Sequence, residues 1–256
     1  MTVLLPVVAA FGLIVGSFLN VCIYRLPLRL SIVWPGSRCT SCGRALRWYE
    51  NIPVLSYLAL GARCRTCGAR ISIVYPVVEL FTTIIFLAMF TRFGLQPLLA
   101  VRLVFGCAMI VLLFIDLRHR ILPNAITLPG IIVGITAGFL FPPPPGWVDS
   151  LIGAAAGAGV LFAIGEVYLR VRHEEGLGMG DVKMLGMIGA FLGWKLMLLT
   201  LVLASFSGTI VGVFVMMAKK ESLKYALPFG TFLAVGAMVA AAAGDPLVAW
   251  YLRLYR

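Results

Sequence analysis

Residues 196–218 read LMLLTLVLASFSGTIVGVFVMMA and contain no charged side chain. A helix of about 20 apolar residues is long enough to cross the hydrocarbon core of a bilayer, so this stretch predicts a transmembrane helix. The rest of the chain has the same character, because 61% of its 256 residues are hydrophobic and only 12% are charged. Such a chain lacks the polar residues that cover a soluble domain. We therefore expect an all-α polytopic membrane protein.

Eight apolar segments are candidate membrane spans, and the sixth is short. They comprise residues 3–24, 75–91, 95–115, 121–140, 148–169, 182–193, 196–218 and 229–252. No Lys or Arg precedes the first segment, whereas Arg25 and Arg29 follow it, which is the reverse of a cleaved signal peptide. We expect a retained first helix whose N-terminus lies outside the cytoplasm.

The net charge of +11 is distributed unequally between the two faces of this arrangement. Most of the 21 Lys and Arg residues, including the arginines between residues 25 and 70, fall in loops on one face. Cytoplasmic loops are enriched in Lys and Arg, so this face is predicted to be cytoplasmic. The basic charge then requires no nucleic acid as a partner, and membrane lipid is the expected surrounding of the spans.

The longest polar stretch lies between the first two segments and contains two Cys-x-x-Cys-Gly motifs. Cys39 and Cys42 form the first motif, and Cys64 and Cys67 form the second. Two such pairs are typical of a four-thiolate zinc site, in which each pair supplies two sulfur ligands to a tetrahedral ion. We predict three parts: a first transmembrane helix over residues 1–24, a cytoplasmic zinc-binding domain over 25–74 and a transmembrane domain over 75–256.

The zinc is expected to be structural. An insert of about 50 residues buries little apolar surface, so a bound metal would supply much of its folding free energy. A catalytic zinc usually has His or carboxylate ligands, and both histidines, His119 and His173, lie outside the insert. Redox chemistry by a Cys-x-x-Cys pair is the alternative, although no thioredoxin-like alternation of strand and helix surrounds these pairs. The other cysteines, Cys22 and Cys107, fall in apolar segments and are interpreted as core residues.

An ionisable group stands where the sixth segment begins, in the run Gly178-Met179-Gly180-Asp181-Val182-Lys183. An acid at the edge of a membrane helix is a candidate functional residue, and glycines before it permit close backbone approach. We interpret Gly178, Gly180 and Lys183 as a loop that supports Asp181. The alternative is an ordinary helix N-cap, a position where Asp is preferred.

Asp116 is the expected partner of Asp181. It ends the third segment on the same predicted face, whereas Asp149 and Asp245 fall near the opposite face. Two carboxyl groups in a partly desolvated site tend to share a proton, so that one acts as a base toward water and the other as an acid. This is the chemistry of aspartyl proteases, which needs no metal and no nucleophilic side chain.

Other interpretations of these acids stay open at this point. Glu79 and Glu166 lie near the same face, where they either complete the site or pair with a nearby arginine. For Asp116 the simpler interpretation is an ion pair with Arg118 or Arg120.

Several blocks of sequence occur in a characteristic order. They are GSFLNVCIYRLP (16–27), the two cysteine motifs, WYENIPVLSY (48–57), YPVVEL (75–80), IDLRHRILPN (115–124), GMGDVKM (178–184) and PFG (228–230). In this order they resemble the bacterial type IV prepilin peptidases, the leader peptidases and N-methyltransferases of type IV pilus and type II secretion systems. Thr231 stands where that family often has proline after the last block.

The resemblance implies an intramembrane aspartyl protease of the Gly-x-Gly-Asp class, with residues 75–256 as its peptidase domain and Asp116 and Asp181 as its catalytic pair. The substrate would be a type IV prepilin or pseudopilin, whose short basic leader is cut at the cytoplasmic face of the bacterial inner membrane. Bifunctional members then methylate the new N-terminal amine with S-adenosylmethionine, and the zinc-binding insert accompanies that type.

The residues that would bind S-adenosylmethionine are left unassigned. No glycine-rich loop followed by an acidic residue in a strand and helix context occurs. Asn20, Arg25, Glu50 and Asn51 are polar groups near the insert, and their position alone makes them candidates for contact with the cofactor or the substrate.

A transporter or channel is the main alternative function, because membrane acids and glycine breaks also describe a solute pathway. The two halves of the chain, however, show no duplicated hydropathy pattern. A zinc metalloprotease would need a motif such as His-Glu-x-x-His, which the sequence does not contain. The natural pilin substrate and the oligomeric state are not indicated by the sequence.

Overall fold

The computed structural model describes residues 2–141, 145–174, 176–219 and 228–254. These ranges are mainly helical, and their only β-bridges are the isolated pairs Arg38 with Ala45 and Arg63 with Arg70. The helices are α1 (Leu5–Arg25), α2 (Leu55–Ala59), α3 (Val74–Phe93), α4 (Pro97–His119), α5 (Asn124–Leu140), α6 (Trp147–Arg172), α7 (Met179–Lys219) and α8 (Phe229–Arg253). Short 3₁₀ turns cover Thr2–Leu4 and Trp48–Asn51. The predicted all-α class is confirmed.

Within the described residues, six helices are long and apolar enough to cross a membrane, namely α1, α3, α4, α6, α7 and α8. Helix α5 is apolar but shorter, and it coincides with the fourth predicted segment. The sixth and seventh predicted segments are joined in α7, in which Gly193 has non-helical backbone angles (φ 76°, ψ 170°). A positive φ is favourable for glycine because it lacks a Cβ, so the helix direction changes at this residue. The polytopic character is confirmed, with six long helices in place of eight separate segments.

The chain divides into two compact units, the first ending at Val111 and the second beginning at Leu112, so that the boundary falls inside α4. In the first unit, α1 and α3 pack as an antiparallel pair. Gly16 faces Glu79, where an added methyl group would lie 2.7 Å from the Glu79 Cα. One turn further along α1, Asn20 Nδ2 donates a 3.0 Å hydrogen bond to the Tyr75 carbonyl. Small residues at such a contact let the two backbones approach closely.

In the second unit, α7 packs against α5, α6 and α8. Its first part is the core of the unit, since Met184, Leu185 and Met187 are fully buried. Its second part exposes large apolar side chains, including Phe206 and Phe214. The sixth predicted segment is thus enclosed by neighbouring helices, whereas the part of α7 after Gly193 exposes an apolar face to which no other described residue adds cover.

Candidate functional site

Asp116 lies in the last turn of α4 and is buried, with 4% of its surface exposed. Its Oδ2 atom accepts two hydrogen bonds from Thr231, one from the backbone N–H at 2.6 Å and one from the hydroxyl group at 3.0 Å. Thr231 belongs to the first turn of α8. A carboxylate that accepts two hydrogen bonds on one oxygen is held in a defined orientation, so the start of α8 positions Asp116.

Asp181 is the third residue of α7, and its backbone N–H donates to the Gly178 carbonyl at 3.0 Å. The position before the helix is therefore occupied by Gly178, and the N-cap interpretation of Asp181 is wrong. A Cβ at Gly178 would lie 3.5 Å from Oδ2 of Asp181. The predicted supporting loop thus lies directly beside this carboxyl group.

Leu122 lies against Gly180, which precedes Asp181, and against Gly230, which lies beside Asp116. An added Cβ at Gly180 would lie 3.0 Å from the Leu122 Cβ, and one at Gly230 would lie 3.0 Å from both the Leu122 Cδ1 and the Asp116 Oδ2. The start of α7 and the start of α8 therefore both pack against Leu122. Gly180 precedes Asp181 and Gly230 lies against Asp116, so the segments that carry the two aspartates meet at Leu122.

Lys183, the third member of the predicted supporting loop, fixes the start of α7 to the start of α5. Its Nζ donates a 3.0 Å hydrogen bond to Asn124 Oδ1. Asn124 ends the block that begins at residue 115, so this contact holds two of the characteristic blocks together.

The other acids have separate roles. Glu166 pairs with Arg170 one turn along α6 at 2.8 Å. Glu79 accepts a 2.8 Å hydrogen bond from the Val54 backbone N–H in the first unit. Asp149 lies beside Gly193, where an added Cβ would be 3.4 Å from the Asp149 Cβ. The structure therefore brings together Asp116 and Asp181 and does not recruit these alternatives.

The four cysteines of the two motifs, Cys39, Cys42, Cys64 and Cys67, place their sulfur atoms within 4.8 Å of one another. The Cys39 and Cys67 sulfurs are 3.9 Å apart. This agrees with the separation of about 3.8 Å expected for two thiolates bound to one tetrahedral zinc ion with bonds of about 2.3 Å. The donor set and its spacing fit a metal ion bound by four thiolates.

The two motifs have the same backbone structure. The Cys39 N–H donates to the Arg44 carbonyl at 2.9 Å, and the Cys64 N–H donates to the Ala69 carbonyl at 2.8 Å. Gly43 and Gly68 follow the motifs with φ of 71° and 69°, a conformation that glycine adopts without strain. Each motif therefore forms the same tight turn, with its sulfurs on one side.

In each motif the turn favours the thiolate form of the first cysteine, whereas the neighbouring sulfurs raise the pKa of Cys67 to about 11. The backbone N–H of Cys42 lowers the pKa of Cys39, and that of Cys67 lowers the pKa of Cys64 to about 6. In each case the residue before the second cysteine contributes a further N–H. Hydrogen bonds to the charged form of a group stabilise that form, so the first cysteine of each motif is prepared to bind a cation.

An ion pair between Arg44 and Glu50 lies next to the first motif. Arg44 Nη2 lies 2.8 Å from Glu50 Oε1, and the Arg47 backbone N–H donates to Glu50 Oε2 at 2.8 Å. The hydrogen bond from Arg44, followed by the one from Arg47, holds the pKa of Glu50 below its ordinary value. The Glu50 side chain is only 1% exposed, so it is a structural carboxylate of the insert.

Three of these residues had no predicted role. Thr231 was noted only as a departure from proline, Leu122 has no chemical group that would single it out, and Arg44 belongs to a general excess of arginines. The available signal was position relative to the characteristic blocks. Leu122 lies inside the block at 115–124, and Thr231 follows the block at 228–230.

The fold is that of a helical protein in whose described residues six helices are long and apolar enough to cross a membrane, and its second unit contains the two candidate aspartates. Residues 103–213 match the type IV leader peptidase family, and residues 10–93 match the bacterial peptidase A24 N-terminal domain. The chain belongs to this family, which confirms the resemblance predicted from the sequence. No solved structure matches the chain.

Several relatives are named prepilin leader peptidase/N-methyltransferase. The protein of Pseudomonas putida is 36% identical over 95% of this chain and 92% of its own length. That of Pseudomonas aeruginosa is 34% identical over 94% and 91%. The protein of Myxococcus xanthus is 47% identical over 83% of this chain, and the match spans 64% of its length, less than two thirds.

The family and these names support the predicted enzyme activities, prepilin cleavage and N-methylation, and do not support the transporter alternative. Together with the six long apolar helices, they also imply a multi-pass protein of the bacterial inner membrane.

Proposed function

We propose that this chain is an aspartyl endopeptidase that removes the basic leader of type IV prepilins or pseudopilins, with Asp116 and Asp181 as its catalytic pair. The observation that carries the assignment is that Gly180, next to Asp181, and Gly230, against Asp116, both face Leu122, with Thr231 orienting Asp116. Family membership supports the reaction class.

In this proposal the two carboxyl groups share one proton. The ionised carboxylate takes a proton from water while the water oxygen attacks the scissile carbonyl carbon, and the protonated partner gives its proton to the carbonyl oxygen. When the tetrahedral intermediate collapses, the C–N bond breaks, the carboxyl group that took the water proton gives it to the leaving nitrogen, and the other carboxylate takes back a proton from a hydroxyl group of the intermediate. Thr231 occupies Oδ2 of Asp116, so Oδ1 is the oxygen available for exchange with water or the partner.

We place this site at the cytoplasmic face. Eight crossings, with α5 as a short span and α7 divided at Gly193, put the end of α4 and the start of α7 on one side. That side also receives the arginine-rich insert, and basic loops prefer the cytoplasm. A leader that is basic and cytoplasmic would then reach the aspartates without crossing the membrane.

The insert over residues 25–74 is proposed to be a zinc-binding domain, with Cys39, Cys42, Cys64 and Cys67 as ligands. All four positions are thiolates, so a bound zinc would have no position for water and would act structurally. The ion would supply folding free energy to a segment that contains no strand or long helix within its described residues.

The second proposed activity is transfer of a methyl group from S-adenosylmethionine to the new N-terminal amine. The names of the relatives support this activity.

The test is cleavage of a co-expressed prepilin, followed by mass spectrometry of its N-terminus. Asp116→Asn and Asp181→Asn should each lose cleavage at normal membrane levels, because the amide cannot exchange the shared proton. Asp149→Asn is the matched control, since it changes the same side chain beside Gly193, and it should cleave like the parent. Full cleavage by either Asp116→Asn or Asp181→Asn would exclude the pair.

A further inference from the structure

A pocket of about 440 Å³ lies in the first unit, between the C-terminal half of α1 and the insert. This volume is in the range of small-molecule sites. Phe18 and Val21 of α1 form an apolar wall, and Ser17, Arg25 and Asn51 contribute polar groups. A ligand that fits such a pocket has an apolar or aromatic body and a polar end that includes a carboxylate.

Arg25 is held in place by the loop that covers the pocket. Its Nη1 donates to the Ser31 carbonyl at 2.9 Å, and its Nη2 donates to the Gly36 carbonyl at 3.1 Å. A guanidinium group has five N–H donors, so donors remain for a carboxylate. An arginine fixed in this way is suited to bind a carboxylate with two parallel hydrogen bonds.

The edge of the pocket is formed by a strained turn. Pro53 lines the pocket, and the next residue, Val54, has φ 57° and ψ −48°. The Leu55 N–H donates to the Pro53 carbonyl, which makes this the rare classic γ-turn. A β-branched residue with positive φ is an outlier, and such strain concentrates at functional sites.

A buried carboxylate holds this turn. Glu79 of α3, 6% exposed, accepts a 2.8 Å hydrogen bond from the strained Val54 N–H. Ser17, which lines the pocket, faces the same carboxylate. Gly16 allows the backbone of Glu79 to approach α1. The pocket, the turn and the buried acid thus form one built site, which the aspartate chemistry does not use.

We infer that this pocket binds S-adenosylmethionine and is the methyl-transfer site, an inference that rests on the methyltransferase part of the proposed function. Arg25 would bind the carboxylate of the methionine part. Phe18 and Val21 would contact the apolar and aromatic parts of the ligand. Ser17 and Asn51 would form hydrogen bonds with its hydroxyl and amino groups. The pocket lies in the region that matches the N-terminal family domain, outside the unit that contains the aspartates.

The reaction at this site balances without a further reagent. The lone pair of the neutral N-terminal amine forms the new N–C bond, and the C–S bond breaks with its electron pair retained on sulfur, which becomes an uncharged thioether. The secondary ammonium that results loses its extra proton to water. Glu79 acts as a positioning residue, because its contact is to the backbone of Val54.

The test is equilibrium dialysis of radiolabelled S-adenosylmethionine against the purified full chain in detergent micelles, together with prepilin cleavage. Arg25→Gln and Asn51→Ala should weaken binding by about tenfold or more, because each removes a polar partner. Gly36→Leu should abolish binding, since Gly36 lines the pocket and nothing lies within 4 Å of its added Cβ. Arg29→Gln is the matched control, an exposed arginine of the same stretch that does not line the pocket.

Cleavage separates the possible failures. The inference holds if the three pocket variants lose binding and methylation, still cleave, and Arg29→Gln behaves like the parent. It is overturned if the parent binds and all three variants bind equally, which would leave the methyltransferase proposal intact. A parent that cleaves but does not bind would overturn the methyltransferase proposal together with this site. If the pocket variants lose co-purifying phospholipid but bind S-adenosylmethionine like the parent, the inference is overturned and the pocket is a lipid site.

Discussion

The backbone N–H and the hydroxyl group of Thr231 both donate to Oδ2 of Asp116, at 2.6 Å and 3.0 Å. This relationship connects the first turn of α8 with the last turn of α4, across 115 positions of sequence. It leaves the second oxygen of Asp116 as the one available for chemistry, and it makes the start of α8 part of the proposed active site.

Thr231→Val is therefore expected to lower the rate of prepilin cleavage by about tenfold, since a hydrogen bond to a charged group contributes roughly 1.5–3 kcal/mol. The backbone donor is retained, so activity should not vanish. Thr231→Ser should restore the rate. The measurement is an initial-rate assay in micelles, with Thr209→Val, an exposed threonine of α7, as the matched control. An unchanged rate for Thr231→Val would mean that the hydroxyl group does not orient Asp116.

Gly230→Ala should reduce cleavage more severely, because the new Cβ would lie 3.0 Å from both the Asp116 Oδ2 and the Leu122 Cδ1. A contact of this length forces Asp116 or Leu122 to move by a few tenths of an ångström, and a displacement of about 1 Å would cost on the order of a hundredfold in rate. Gly159→Ala, which adds the same methyl group with nothing within 4 Å, is the control and should be neutral. Equal rates for the two variants would show that the site tolerates movement of Asp116.

Metal analysis of the purified chain should find one zinc per chain. The double variant Cys39→Ser/Cys42→Ser should contain none and should unfold at a lower temperature, because zinc binding contributes folding free energy. Cys107→Ser removes a cysteine outside the cluster and should keep its zinc. Retention of zinc in the double variant would place the metal at another site.

Glu50→Gln should speed the release of zinc to a chelator, because it removes the ion pair with Arg44 beside the first cysteine motif. The pKa of Glu50 is lowered in the folded protein, so its stabilisation is fully present above the unfolded-state value of 4.5 and is lost as the pH falls through the folded-state pKa. The ratio of variant to parent release rates should accordingly stay constant between about pH 7 and pH 5. A ratio that already falls in that window would assign the effect to another group.

Much of the candidate site could be predicted from the sequence, for identifiable reasons. The cysteines of both motifs could be predicted because each pair is separated by only two residues. The same short spacing forms the same turn in both motifs. Asp116 and Asp181 were paired because alternating spans sort acids between two faces. Asp149 was separated from them by the same argument, and it lies beside Gly193.

The break between the sixth and seventh predicted segments was also indicated by local sequence. The sixth and seventh predicted segments were separated because the charge of Lys195 and the glycine at 193 interrupt the apolar run. In the structure Gly193 has non-helical backbone angles, so the kink in α7 falls at the boundary that the sequence indicated.

The sequence by itself determined the membrane character, the four-cysteine cluster and the family, and it singled out the two candidate aspartates, because composition, short spacings and ordered motifs are local properties of the chain. Tertiary structure alone decided that Thr231 orients Asp116, that Leu122 receives the starts of α7 and α8, and that Glu79 holds the strained turn at Val54. Each of these contacts joins residues far apart in the chain, and their formation depends on how the helices pack, which no local pattern of residues encodes.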